Sequence, residues 1–363
     1  MQHDLFLVID HGGSKCDCTI LRRDGTVHSW GHFFDPGQSG RSAYAIHAAV
    51  TQALTSGNIT EEDVVTLCFI RGYSVKLPEG YVRTGAGAPQ PTLDNQAPPR
   101  VRDFFANCVD GADGFLAKVD YFAGVDEHRA ALAMCGFEDG IVALAGTGAF
   151  IDITLTERKT WLHMDGLGPI AGDHGSAYQV GLAAFRAAVA AADRGNARRK
   201  TTLRDAVFRK LKLGDTQDAA RFSLQGHDRS VMASLAKMVD HEARQGDAIA
   251  RRILEDAADD LCETLRDALE MTHLTDEALP LIGTGSMLVK SSIYWDRFCE
   301  RVHTLAPRLD IHRNQRPSVL GIALCGMMRK DNLSLEEGRR LLEDINAGYD
   351  AFTKKQAQVK KEA

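Results

Sequence analysis

The residues best suited to chemistry at the start of the chain follow its first apolar run, LFLVI. They are Asp10, then Gly12 and Gly13, with the donors Ser14 and Lys15 next. Apolar alternation resumes after the glycines, which predicts a β-hairpin. The same residues would suit a phosphate-binding loop, because glycines let backbone amides approach an anion closely. The two interpretations are compatible, and both stay open at this point.

Two further apolar strands are predicted to end in a glycine-hydroxyl-glycine turn. Ile141–Ala145 is followed by Gly146, Thr147 and Gly148, and Leu279–Ile282 is followed by the segment Gly283–Gly285. One such turn is weak evidence, since glycine commonly follows a strand. Three of them predict anion-binding loops at one sheet edge or cleft, with a polyphosphate between two β-rich halves. Neither a GxxxxGK[ST] nor a GxGxxG pattern occurs.

The elements that would position these turns alternate between strands and helices. Strands are predicted at 5–10, 17–21, 26–32, 64–70, 119–123, 141–145, 150–155 and 279–282, and helices at 42–54, 101–109 and 127–135. Apolar residues from Ile249 to Leu269 recur at helical spacing and predict a long amphipathic helix. Ser334 with Glu337 predicts the capping box of a last helix. Residues 84–99 are rich in glycine and proline and predict a surface loop.

Composition excludes several classes of protein. The chain has 363 residues, with 44% hydrophobic and 25% charged, as expected of a globular protein with two domains. The net charge of −6 argues against a nucleic-acid-binding domain. The eight cysteines form no CxxC pair, so we expect reduced thiols in a cytoplasmic protein. We expect neither a signal peptide nor a membrane span.

Two carboxylates stand out among the remaining residues. Asp126 directly precedes EHRAALAM, and from the residues alone it is best interpreted as a helix N-cap. Asp173 lies in the glycine-rich segment DGLGPIAGDHGSAY, where it is either a turn residue or a group that accepts hydrogen bonds from vicinal hydroxyls.

Several segments together resemble the BadF/BadG/BcrA/BcrD ATPase family. They are VIDHGGSKCDCTIL (8–21), GVDEHRAALA (124–133), GIVALAGTGAF (140–150) and DGLGPIAGDHGSAYQVG (165–181), with looser agreement in PLIGTGSML (280–288) and RPSVLGIAL (316–324). The best-understood members of the family are N-acetylglucosamine and glucosamine kinases of the sugar kinase, Hsp70 and actin superfamily. The resemblance implies an α/β fold of two RNase H-like, actin-like ATPase lobes around an ATP cleft. We expect the lobes at 1–123 and 124–335, followed by a C-terminal helix and solvated tail at 336–363.

The resemblance also implies roles for individual residues. Asp10 would hold Mg²⁺, and Asp126 would be the general base. The groups expected to bind ATP are Gly12, Gly13, Ser14, Lys15, Gly146, Thr147, Gly148, Gly283, Gly285 and Ser286. The groups expected to contact the sugar are Gly166, Leu167, Asp173 and Ala177.

The resulting expectation is an ATP- and Mg²⁺-dependent kinase that phosphorylates a hydroxyl of an amino sugar, and that forms a homodimer. The chain departs from the family pattern at His11, Leu167 and His174, and Gln38 or Ser39 replaces an expected asparagine. The acceptor is therefore left open among N-acetylglucosamine, glucosamine, another amino sugar and an unrelated hydroxyl compound. The alternatives are an ATPase that activates a dehydratase, for which Cys135 would be the candidate cluster ligand, and a non-catalytic sugar sensor.

Overall fold

The structure is a computed structural model, and it describes most of the chain. The described residues are 5–13, 15–35, 43–60, 63–70, 119, 121–195, 197–226 and 229–362. Several sequence predictions lie outside these residues. They concern Ser14, the pair Gln38 and Ser39, the loop at 84–99 and the helix at 101–109.

The helices, numbered in chain order over the described residues, are as follows. They are α1 (Ala43–Gly57), α2 (Glu127–Met134), α3 (Ala177–Arg194), α4 (Leu203–Leu211), α5 (Thr216–Leu224), α6 (Arg229–Ala233), α7 (Ala236–Arg244), α8 (Ala248–Thr272), α9 (Ser286–Lys290), α10 (Ser292–Leu305), α11 (Ser318–Asp331) and α12 (Leu335–Glu362). The predicted amphipathic helix is α8, which buries Leu254, Leu261 and Leu265. The predicted capping box precedes α12, where the Ser334 amide donates to Glu337.

The described residues form two compact units. Unit 1 contains the described parts of 1–78 and 89–138 together with 316–362, and unit 2 contains 139–315. This grouping differs from the predicted lobe boundaries at residues 123 and 335. The reason is that α11 packs against α2 so closely that a Cβ on Gly321 would lie 2.3 Å from the Ala130 carbonyl oxygen.

Unit 1 contains a five-stranded sheet with the order β3-β2-β1-β4-β5. The strands are β1 (Leu5–His11), β2 (Lys15–Arg22), β3 (Val27–Phe34), β4 (Val64–Ile70) and β5 (Tyr121–Val125). The first three form an antiparallel meander, whereas β4 and β5 run parallel to β1. The predicted hairpin is confirmed as β1 and β2.

Strand β1 is central in this sheet and is buried on both faces, which explains its unbroken apolar run. Leu5, Leu7 and Ile9 belong to the core that includes α1. Phe6 and Val8 belong to the opposite core, which includes α2, α11 and α12. Because side chains alternate along a strand, Asp10 lies on the face of Phe6 and Val8, toward α11.

Unit 2 contains a second five-stranded sheet with the order β10-β9-β6-β7-β8. Its strands are β6 (Gly140–Ala145), β7 (Ala149–Leu155), β8 (Thr160–Asp165), β9 (Pro280–Thr284) and β10 (Asp310–Arg313). Here too an antiparallel meander comes first, and β9 runs parallel to β6 and β10 parallel to β9. The two sheets therefore share one topology, and the predicted fold class of two lobes is confirmed.

Among the described residues, no helix is both long and apolar enough to cross a bilayer.

Candidate active site

Three parallel strands of unit 1 end at the same edge of their sheet, and a carboxylate lies at the end of two of them. Ile9 of β1 aligns with Phe69 of β4, which in turn aligns with Gly124 of β5. Asp10 is therefore level with the last residue of β5, and Asp126 is the residue after it. Two strand spacings separate the backbones, roughly 10 Å. Strand register thus brings together two acids that are far apart in the sequence.

Asp126 occupies the N-cap position of α2 without capping it through its side chain. Its backbone is extended, with φ −76° and ψ 141°, and its carbonyl oxygen accepts a hydrogen bond from the Ala130 amide at 3.1 Å. Its carboxylate makes no capping hydrogen bond to the helix amides. The side chain thus does not perform the structural role that the sequence first suggested.

Asp10 is 4% exposed and is oriented by α11. The Ser318 hydroxyl donates to Asp10 Oδ2 at 2.5 Å. Ser318 is the first residue of α11, on the face toward which Asp10 points. Sequence analysis did not identify this serine, although it lies in the quoted segment RPSVLGIAL. The hydrogen bond fixes one carboxylate oxygen of the predicted metal ligand.

The basic group of the hairpin lies among acids. Lys15 forms an ion pair with Asp17. Burial lowers the pKa of Lys15, but three neighbouring carboxylates, those of Asp10, Asp17 and Glu127, raise it by more, and the net shift is upward. Burial raises the pKa of Asp17, but hydrogen bonds from His32 and Lys15 bring it down to about 2. Lys15 therefore remains a cation and Asp17 an anion throughout the neutral pH range.

The turn of residues 146–148 in unit 2 contacts the glycine-rich segment that follows β8. The Gly146 amide donates to the Gly148 carbonyl at 2.8 Å, which closes the turn around Thr147. The Ala177 amide donates to the Gly146 carbonyl, also at 2.8 Å. A Cβ on Gly148 would lie 2.8 Å from Asp173 Oδ1. Glycine at 148 is therefore required for the turn and the acid to lie side by side.

Asp173 presents a buried carboxylate that is only partly hydrogen bonded. The residue is 2% exposed and its φ of +57° is left-handed. Oδ1 accepts from the Ala149 amide at 3.3 Å, while Oδ2 has no hydrogen-bond partner among the described residues. Burial, together with the negative charge of Asp165, raises the pKa of Asp173. The Ala149 and Gly168 amides and the Arg229 guanidinium lower it, and the net shift of the pKa is upward. A buried acceptor of this kind is costly unless a ligand supplies the missing donor.

The family model for the BadF/BadG/BcrA/BcrD ATPase family matches residues 125–307. The chain belongs to this family. The match covers α2, the sheet of unit 2 through β9, and the helices that pack on that sheet. It includes Asp126, the turn at 146–148 and Asp173.

Two curated relatives are similar to the chain. An N-acetylmuramic acid/N-acetylglucosamine kinase from Clostridium acetobutylicum is 26% identical over 214 residues, which cover 58% of this chain and 68% of that protein. An N-acetyl-D-glucosamine kinase from Dictyostelium discoideum is 27% identical over 194 residues, which cover 53% of this chain and 60% of the relative.

Two solved structures share the fold. A provisionally assigned N-acetylglucosamine kinase from Chromobacterium violaceum superposes with a TM-score of 0.59 at 17% identity, over 89% of this chain and 99% of that one. A second provisionally assigned N-acetylglucosamine kinase, from Porphyromonas gingivalis, gives a TM-score of 0.52 at 17% identity, over 95% of this chain and 99% of that one. At these identities the likeness concerns the fold alone.

Within the residues that match the family, the segment before α3 is held by an acid that sequence analysis missed. Asp165 ends β8 with φ +71°. Its carboxylate accepts hydrogen bonds from the Asp173 amide at 2.7 Å and the His174 amide at 2.8 Å. His174 Nδ1 lies 3.0 Å from the same carboxylate. His174, a departure from the family pattern, thus pairs with Asp165 at the surface and helps to hold Asp173 in place.

Two other predicted sugar contacts, Gly166 and Leu167, directly follow Asp165 in the chain. The Gly166 amide donates to the Ala149 carbonyl at 2.9 Å, which places it next to the turn of residues 146–148. Leu167 is 68% exposed and Ile170 is 98% exposed. Both apolar side chains belong to the same glycine-rich segment as Asp173.

The third glycine turn lies next to the second one. Strand β9 pairs with β6, and Thr284 aligns with Leu144, so both turns share one sheet edge. Gly285 has φ +88°, and a Cβ there would lie 2.4 Å from the Ala145 carbonyl oxygen. Ser286 starts α9 directly after it. Gly283 has a different neighbour, because a Cβ on it would lie 2.5 Å from the Trp295 ring.

The hairpin turn of unit 1 is compact. The Gly12 amide donates to the Lys15 carbonyl at 2.8 Å, and Gly13 lies between them. His11, another departure from the family pattern, pairs with Cys16 as the last residue of β1. It is half-buried and precedes the two glycines, so these remain the residues of the turn itself.

Proposed function

We propose that the chain is an ATP-dependent sugar kinase that transfers the γ-phosphate to a hydroxyl of an amino sugar, with Asp126 as the general base. The observation that carries the proposal is the Asp126 carboxylate, which lies at an N-cap but does not cap, at the same sheet edge as Asp10. Membership of an ATPase family and the names of the curated relatives support a kinase of the N-acetylglucosamine type, and glucosamine is retained as the alternative acceptor from the sequence resemblance.

The base would act by accepting the proton of the attacking hydroxyl. A sugar hydroxyl is a weak nucleophile until a carboxylate within hydrogen-bond reach takes its proton. Asp126 follows a buried strand and begins a helix, which holds its backbone rigidly while the side chain stays half-buried. This arrangement suits a base that must meet a substrate.

Each unit has its own candidate phosphate-binding groups, which are the hairpin turn in unit 1 and the glycine turns in unit 2. Backbone amides at Gly13 and in the turn around Thr147 can approach phosphate oxygens closely, while the Gly12 amide closes the hairpin turn by donating to the Lys15 carbonyl. Lys15 adds a positive charge that Asp17 keeps in position. We assign Gly285 and Ser286 to the nucleotide as well, because they share an edge with the turn of residues 146–148.

A magnesium ion fits the acids of unit 1. In the part of the chain that the structure describes, no group of three or more histidines, cysteines and acids could hold a metal by itself. Mg²⁺ does not require such a group, since it is commonly bound by one or two carboxylates together with substrate phosphates and water. Asp10 would hold it, with Asp126 nearby, and the ion would neutralise charge on the transferring phosphate.

The acceptor sugar would contact Asp173, with Gly166, Leu167 and Ala177 around it. Asp173 Oδ2 is buried and lacks a hydrogen-bond donor among the described residues, so a sugar hydroxyl can supply one. The exposed Leu167 offers an apolar surface beside it.

The test is Asp126→Asn, assayed with Mg²⁺, ATP and a panel headed by N-acetylglucosamine and glucosamine. We expect turnover to fall by about 100- to 10,000-fold, the contribution of a general base, while ATP binding stays measurable. Asp215→Asn is the matched control, because Asp215 does cap its helix, accepting from the Asp218 amide at 2.9 Å. If Asp126→Asn keeps the wild-type turnover, Asp126 is not the general base.

The dehydratase-activator alternative would need cysteine ligands for an iron–sulfur cluster, and Cys135 is the candidate. Burial raises the pKa of its free thiol to about 11. The same sugar panel separates the alternatives, because ATP hydrolysis without sugar would favour the activator and no turnover would favour the sensor. The homodimer and the cytoplasmic location stay predictions.

A further inference from the structure

An arginine from the helical part of unit 2 approaches the candidate sugar-binding acid. Arg229 is the first residue of α6, and its Nη1 lies 3.9 Å from Asp173 Oδ2. This separation allows an ion pair but exceeds hydrogen-bond length. Within the described residues, this ion pair is the polar contact that Arg229 makes. Arg229 therefore lies close to Asp173, but none of its N–H groups donates a hydrogen bond to the Asp173 carboxylate.

The position of Arg229 is fixed by a close contact between two helices. A Cβ on Gly181 of α3 would lie 1.9 Å from the carbonyl oxygen of Met232 in α6. Helix α3 begins four residues after Asp173, and the Ser176 hydroxyl caps it by accepting from the Gln179 amide at 3.3 Å. The acid and the arginine are thus held by elements in direct backbone contact.

The gap between the two groups has the dimensions of a shared hydroxyl. A hydroxyl donates to a carboxylate at about 2.7 Å and accepts from a guanidinium at about 2.9 Å. With these two lengths, a separation of 3.9 Å gives an angle of roughly 90° at the hydroxyl oxygen, which is about 20° below the tetrahedral angle, so a small outward shift of the Arg229 side chain would complete the geometry. One hydroxyl can therefore satisfy Asp173 Oδ2 and one N–H of Arg229 together.

We propose that Arg229 is a specificity-determining residue of the acceptor site, donating to the sugar hydroxyl that donates to Asp173 Oδ2. The inference rests on the proposed function for its ligand class, a sugar with a free hydroxyl. Arg229 is about one-third exposed, so part of its guanidinium remains accessible when one donor is engaged. Its planar fork of five donors distinguishes an oxygen-rich ligand from one that lacks the hydroxyl.

The experiment is calorimetric binding of N-acetylglucosamine and of glucosamine to the full chain without ATP, followed by steady-state kinetics. We expect Arg229→Met to weaken binding of the preferred sugar by about 10- to 100-fold, the range for a hydrogen bond to a charged group. Arg229→Lys, which keeps the charge but loses the fork, should fall between Arg229→Met and the wild type. The KM for ATP should not change, whereas a general structural defect would alter the KM for ATP as well.

Arg252→Met is the control, because Arg252 is 81% exposed and pairs with a neighbour on its own helix, Asp256. Equal sugar affinity in Arg229→Met and the wild type would overturn the inference, as would a wild type that binds neither sugar. If Arg229→Met does not fold, the sugar affinity of Arg229→Lys is compared with that of the wild type, and equal affinities would overturn the inference. A wild type that binds sugar but does not consume ATP would contradict the proposed kinase alone, since Arg229 is judged by binding.

Discussion

Replacing Asp165 by alanine would remove the acceptor that holds the segment around Asp173. The Asp165 side chain is 5% exposed, and it receives the Asp173 amide at 2.7 Å and the His174 amide at 2.8 Å. Alanine leaves both amides without this partner. We expect the segment to open more often and the sugar to bind more weakly, while the sheet of unit 2 stays folded.

The free-energy cost of Asp165→Ala depends on whether water can replace the lost carboxylate as the hydrogen-bond partner of each amide. The Asp173 amide is part-buried, so it loses nearly the full value of a hydrogen bond to a charged group, about 2–3 kcal/mol. The His174 amide and ring are exposed, and water replaces the carboxylate there at little cost. A loss of about 2–3 kcal/mol corresponds to local opening that is about 30- to 160-fold more frequent.

The assay is amide hydrogen exchange of the peptide that spans residues 165–176, combined with the KM for the sugar. Asp139→Ala is the matched control, because the exposed Asp139 carboxylate accepts the Thr156 amide at 2.6 Å in the same unit. Its effect should stay at Thr156 and should not alter the sugar KM. If the Asp173 amide exchanges at the wild-type rate in Asp165→Ala, the hydrogen bonds do not hold the segment and the reasoning fails.

Two further predictions test the site and the hairpin. Gly148→Ala places a Cβ 2.8 Å from Asp173 Oδ1 within a turn that is also assigned to the nucleotide, so we expect the KM values for the sugar and for ATP both to rise, the former by about tenfold or more; unchanged KM values would contradict this. Asp17 has a folded pKa of about 2 against 3.8 unfolded, so its ionised form contributes about 2 kcal/mol of stability above pH 4, which is lost as the pH falls toward 2. The unfolding free energies of the wild type and Asp17→Asn, measured in urea, should therefore differ at pH 7 and converge in acid, and a difference independent of pH would refute the assignment.

Local patterns in the sequence were sufficient for much of the fold. The central strand β1 was predictable because burial on both faces requires a continuous apolar run. The strands β8 and β10 were not predicted, because they lie at the two edges of their sheet and carry polar residues such as His163 and His312. The domain boundaries could not be predicted from composition, since α11 returns to unit 1 from more than 170 residues away and packs on α2.

By itself, the sequence determined the residue types that can do the chemistry: the acids, the glycine turns and the strands that precede them. Glycine turns and apolar runs are local features, because they follow from the backbone freedom and burial of neighbouring residues. Tertiary structure alone decided the partners of the acids. Ser318 reaches Asp10 across 308 residues, and Arg229 reaches Asp173 through the contact of two helices. A polar side chain carries no periodic signal of its own, so its partner is set by packing between elements that are distant in the chain.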